Sequence, residues 1–93
     1  MVKKRIGHWK DGDSGVFTDS SRFRLARVRA PESHQYGGSK ATRTAAGMTG
    51  QTRGVVNVRR VGKSYGRAVV EMQNRHGSIN SRMRAKGYRN KGR

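Results

Sequence analysis

The apolar positions of this chain fall into short runs separated by turn dipeptides. Residues 2–9 set Val2, Ile6 and Trp9 as the apolar points of a first strand. KDGDSG follows, and Asp-Gly and Ser-Gly are turn dipeptides. GVFT reads as a second short strand, DSS as a turn and RFRLARV as a third strand, which together predict an antiparallel meander. The third strand is irregular. Phe23 and Leu25 share a face, Val28 falls on the other, and Arg27 sits where an apolar residue would continue. A bulge between them would restore the pattern. Pro31 ends the run, because proline donates no ladder hydrogen bond.

Beyond a loop at 33–38, SKATRTAAGM spaces Ala41, Ala45, Ala46 and Met48 at helical intervals, with Ser39 as a candidate N-cap and Gly50 past the end. RGVVNVRRV and RAVVEM predict two more strands joined by a KSYG turn, with Ala68, Val70 and Met72 on one face of the second. After the turn QNRHG, SINSRMRAKGY predicts a short helix. Ser78 would cap it, Ile79 and Met83 would share a face, and Gly87 would stop it. Three strands, a helix, two strands and a helix is the order expected of a five-stranded OB-type Greek-key barrel with two short helices, mainly β with α. The expected organisation is one domain over 1–88 and a basic tail at 89–93.

Composition narrows the partner. The 93 residues carry a formal charge of +17 and only 31% apolar residues, so the core is small. Such a charge disfavours a compact state unless a polyanion relieves the repulsion. Nucleic acid is the expected partner, DNA first with RNA left open, bound mainly through phosphates. A membrane surface would call for a basic amphipathic helix with a bulky apolar face, and none is evident. With no cysteine, disulfides and thiolate metal sites are excluded. His8, His34 and His76 are too scattered in sequence to predict a metal cluster. No run resembles a signal peptide or a transmembrane span, so a cytoplasmic setting is expected, and a phage or other mobile element would suit so small and basic a chain.

The five carboxylates are Asp11, Asp13, Asp19, Glu32 and Glu71, and four of them fall within residues 11–32. Breaking a phosphodiester needs a group that activates water and cations that hold the phosphate through its extra transition-state charge. Arginine suits the second role because its planar fork donates two parallel hydrogen bonds and stays charged. Taken singly, each residue has an ordinary reading: Arg24 as a solvated strand position, Glu32 as a turn residue after proline, Asp11 and Asp13 as turn formers.

Taken together, DGD at 11–13, RFRLARVRAPE at 22–32, YGR at 65–67 and SINSRMRAKGY at 78–88 resemble the staphylococcal (micrococcal) nuclease family, in the same order and with similar spacing. The resemblance implies an OB-fold barrel and calcium-dependent cleavage of DNA and RNA. It implies Arg24 as a phosphate ligand, Glu32 as the group that activates the attacking water, and Arg67 as the residue holding the phosphate and stabilising the leaving group. It implies Asp13 as a calcium ligand, with Asp11 behind it, and a structural Asn80. Lys63, Tyr65, Arg29, Arg82 and Lys86 are the further residues expected to touch nucleic acid.

At one position the chain departs from the family. Arg29 stands where a calcium-ligating Asp is expected. A hard cation wants six to eight oxygens, and a guanidinium supplies none. Three arrangements stay open. Arg29 replaces the charge of the metal; or it turns aside and another divalent ion binds; or the barrel binds nucleic acid without cutting it.

Overall fold

The computed structural model describes residues 1–89, so the expected tail lies outside the described residues from position 90 onward. Six strands and two helices follow one another: β1 (Val2–Asp11), β2 (Ser14–Phe17), β3 (Arg22–Leu25), α1 (Gly38–Gly50), β4 (Val55–Ser64), β5 (Arg67–Asn74), β6 (Gly77–Ser78) and α2 (Ile79–Ala85). The chain is mainly β with two short helices, as its pattern predicts. The sixth strand has no counterpart in the pattern; its two residues only extend the β5 hairpin before α2.

The first three strands form the predicted antiparallel meander, with Ile6 opposite Phe17 and Ser14 opposite Arg24. β1 also pairs antiparallel with β4, and β4 with β5. β3 then meets β5 in parallel, with Phe23, Arg24 and Leu25 beside Ala68, Val69 and Val70. The sheet thus returns on itself in the ring β1-β2-β3-β5-β4. The β3–β5 contact matters most for the site, because it sets the strand of Arg24 beside the start of the strand that begins with Arg67.

Phe23, Leu25, Val28, Val56, Val70, Met72, Ile79 and Met83 form the centre of the core. Phe23 is fully buried, with Trp9 edge-on at 5.1 Å and Phe17 at 4.5 Å between ring centroids. Its burial alone contributes about 2–3 kcal/mol of transfer free energy. Trp9 Nε1 donates to Thr49 Oγ1 at 3.0 Å and ties α1 to β1.

Three local details differ from the sequence reading, one being that Gly50, expected past the end of α1, is its last residue. β3 stops at Leu25, and in place of a bulge Arg27 adopts a left-handed conformation at φ 57°. The reversal has the effect a bulge would have had, since it turns Val28 inward to full burial. The N-cap of α1 is Gly37, in the left-handed region and without a side-chain cap; Ser39 lies inside the helix. The reason is steric. A Cβ at Gly38 would overlap the carbonyl of Glu32, so the chain enters α1 through two glycines rather than through a serine cap. The second helix agrees with the pattern: Ser78 Oγ accepts from Ser81 N at 3.1 Å, and Ile79 and Met83 are buried.

Asn80 is fully buried. Its Oδ1 accepts from Met72 N at 2.9 Å, and its Nδ2 donates to Ala26 O and Val70 O, each at 3.0 Å. One amide therefore joins α2 to β5 and to the segment leaving β3. Among the described residues, no helix is long and apolar enough to cross a membrane.

Candidate functional site

A cleft of about 810 Å³ is lined by Asp11, Asp13, Arg24, Arg29, Glu32 and Arg67 together with neighbouring residues. Three separate stretches of chain contribute these six: the β1–β2 turn, β3 with the loop after it, and the start of β5. Residues far apart in sequence thus share one surface because β3 lies between β2 and β5.

The two aspartates of the turn hold the loop that carries Glu32. Asp11 Oδ1 accepts from Ser33 N at 2.8 Å, and its Oδ2 accepts from Ser14 Oγ at 3.3 Å. Asp13 Oδ2 accepts from Ala30 N at 3.2 Å and lies 3.8 Å from Arg24 Nη2. Gly12 lets this turn press against its neighbours; a Cβ there would lie 2.8 Å from Ala41 Cβ and 2.9 Å from Ala30 Cβ. The two aspartates therefore have a structural role, since they bind the backbone amides of residues 30 and 33 on either side of Glu32.

Asp13 is only 9% exposed, and burial pushes its carboxyl above the ordinary aspartate range. The Ala30 amide and the Arg24 charge pull it down, and Asp11 nearby pushes it up. The balance is upward, because Arg24 at 3.8 Å is a distant partner.

Glu32 is exposed rather than enclosed between arginines. Its backbone is fixed by a turn: Gln35 N donates to Glu32 O at 2.8 Å, and Glu32 N donates to Gln35 Oε1 at 2.9 Å. Its carboxylate lies 3.3 Å from His34 Nε2, with the two side chains 61% and 75% exposed. No arginine is within ion-pair distance of it among the described residues.

The donor set does not fit calcium. Both oxygens of Asp11 and one of Asp13 accept protein hydrogen bonds, and Arg29 brings a positive charge to the same cleft. A hard cation there would fall well short of six to eight oxygens. Among the described residues, no group of three or more His, Cys, Asp or Glu is arranged to hold a metal ion.

Of the residues expected to touch nucleic acid, Arg29 lines the cleft and the other four do not. Lys63 is exposed near the end of β4, opposite Ala68. Tyr65 is 91% exposed at the β4–β5 turn, in a left-handed conformation at φ 51°. Arg82 and Lys86 line a different cleft, between the two helices. Conversely, Gln35, Tyr88 and Arg89 line the first cleft, although the sequence pattern gives them no role. Tyr88 ends the last of the four sequence blocks. Gly87, at φ 98°, turns the chain back toward Arg29, whose amide donates to Tyr88 O at 3.4 Å.

Comparison with known proteins returns no matching family model and no matching curated protein. The residues of the cleft therefore carry the functional reading.

Proposed function

We infer that the chain is a small nuclease that hydrolyses phosphodiester bonds of DNA, with RNA as a second substrate, on an OB-type Greek-key barrel similar to that of staphylococcal nuclease. The ring order and the parallel β3–β5 contact support the barrel. The observation that carries the function is the cleft itself. Arg24, Arg29 and Arg67 line it together with the exposed Glu32, which among the described residues has no arginine at ion-pair distance.

In this reading the guanidinium groups of Arg24 and Arg67 hold the non-bridging oxygens of a phosphate. Glu32 removes a proton from water, and the water oxygen attacks phosphorus as the bond to the leaving oxygen breaks. Arg67 stands by that oxygen as charge develops on it. Arg29 adds the positive charge that a cation supplies elsewhere, so no divalent ion is required. Phosphate contacts carry little sequence information, so cleavage has little sequence preference.

The second reading is a catalytically inactive nuclease-like barrel that binds nucleic acid. The contact of Glu32 with His34, rather than with an arginine, favours it. Cleavage of a labelled oligonucleotide separates the two. The nuclease reading expects turnover that Glu32→Gln lowers at least tenfold with binding preserved. Tight binding without turnover would establish the module instead.

A further inference from the structure

The cleft between the helices, about 580 Å³, is lined by Thr44, Met48, Gln51, Arg82, Ala85 and Lys86. Among the described residues its lining includes two cations and no carboxylate, and neither helix carries an acidic residue. The Nη2 of Arg82 donates to Gln51 Oε1 at 3.0 Å. Its Nη1 is buried without a hydrogen-bond acceptor among the described residues. A buried donor without an acceptor is destabilising, and more so when charged. An oxygen of a phosphate that entered the cleft and turned the guanidinium would supply the acceptor. Lys86 stands beside it, exposed at the C-terminal end of α2.

The linings of the two clefts follow one another along the chain. Lys86 lines the one between the helices, and the next residues, Gly87, Tyr88 and Arg89, line the one that holds Glu32. The residues linking them, 86–89, include no acidic side chain.

We propose that the cleft between α1 and α2 is a second phosphate-binding site, in which Arg82 and Lys86 grip the backbone of a nucleic acid strand whose scissile phosphate lies in the first cleft. This rests on the nucleic-acid reading of the first cleft. It makes the chain a reader of strand length. The longest dimension of the fold is 31 Å. At about 3.4 Å per step along one strand, roughly nine nucleotides span the whole fold, and a trinucleotide covers about a third of it.

The test is fluorescence anisotropy over a salt series, on the Glu32→Gln background so that the ligand stays intact. A single strand of about 20 nucleotides is compared with a trinucleotide. Replacing both Arg82 and Lys86 by Gln should flatten the slope of log affinity against log salt by about 1.4 for the long strand, two contacts at about 0.7 each. The ratio of long-strand to trinucleotide affinity should fall at least tenfold. Lys86→Gln alone changes one exposed side chain and should flatten the slope by about 0.7, which keeps the test valid if the double variant fails to fold. An unchanged slope and ratio would overturn the second site while leaving the first cleft intact. No binding of either ligand by the parent would overturn both. An acidic peptide that binds the parent more tightly than the long strand, and loses that binding on Lys86→Gln, would assign the cleft to a protein partner and overturn the proposal.

Discussion

Arg24 Nη2 stands 3.8 Å from Asp13 Oδ2. At that separation, and with Asp13 almost fully buried, Arg24 is steadied but not neutralised by a tight ion pair. The same Asp13 oxygen accepts from the Ala30 amide. The aspartate of the turn thus holds the Glu32 loop with one bond and orients an arginine of the cleft with a weaker contact.

Asp13→Asn separates these two roles from metal binding. Burial raises the carboxyl in the folded state above its value in the unfolded chain. Below the unfolded value both states are protonated and the charge has no effect on stability. As pH rises from the unfolded value through the folded one, the folded state must ionise a buried group and loses stability relative to acid. Asn keeps an oxygen for the Ala30 amide and has no charge to bury. The variant should therefore be more stable than the parent at neutral pH, with the gain fading in acid. Thermal melts across pH check this. Cleavage should survive the substitution; its complete loss, with the fold intact, would instead mark Asp13 as a ligand of an essential cation.

Arg67→Lys tests geometry against charge. Lysine keeps the positive charge but cannot offer two parallel donors. Cleavage should fall about tenfold to a hundredfold, equivalent to roughly 1.4–2.7 kcal/mol of transition-state stabilisation. Affinity for uncut substrate should change far less. Single-turnover kinetics beside a binding titration give both values.

Asn80→Ala probes the amide that joins α2 to the ring. It removes the acceptor of Met72 N and one donor each from the carbonyls of Ala26 and Val70, which keep Arg84 Nη1 and Ala26 N respectively. A loss of roughly 2–4 kcal/mol of stability is expected from urea unfolding. Asn80→Asp keeps an oxygen for Met72 N but buries a charge, and should rescue little.

Gly38→Ala should damage the site through the backbone. The added methyl overlaps the Glu32 carbonyl, so either the loop shifts or α1 starts later. The expected result is lost cleavage together with a lowered melting temperature. Gly47→Ala, in the same helix with nothing within 4 Å of the added carbon, should stabilise the fold by up to about 1 kcal/mol and serves as the control.

Much of the fold is legible in the sequence because period and punctuation agree with the tertiary packing. The meander, the Val-rich strand, and the Ser78 cap with Ile79 and Met83 beneath it are local signals that the core reinforces. The start of α1 is not legible. Ser39 is a good cap by composition, but the closeness of Gly38 to the Glu32 carbonyl depends on a loop that no local rule places. The residues grouped by motif, Asp11, Asp13, Arg24, Arg29, Glu32 and Arg67, do share one cleft. The scattered basic residues do not follow, because charge alone does not say on which side of the ring a side chain emerges. Arg82 and Lys86 belong to a block that the motif also groups, yet they line the other cleft.

The most direct measurement is conversion of supercoiled plasmid by the purified chain in EDTA, beside the Glu32→Gln variant. A nuclease whose arginines replace the metal should nick and linearise the plasmid in EDTA, with the variant at least tenfold slower. A plasmid left intact in EDTA, calcium and magnesium alike, while the chain binds it, would contradict the nuclease reading and leave a nucleic-acid-binding barrel.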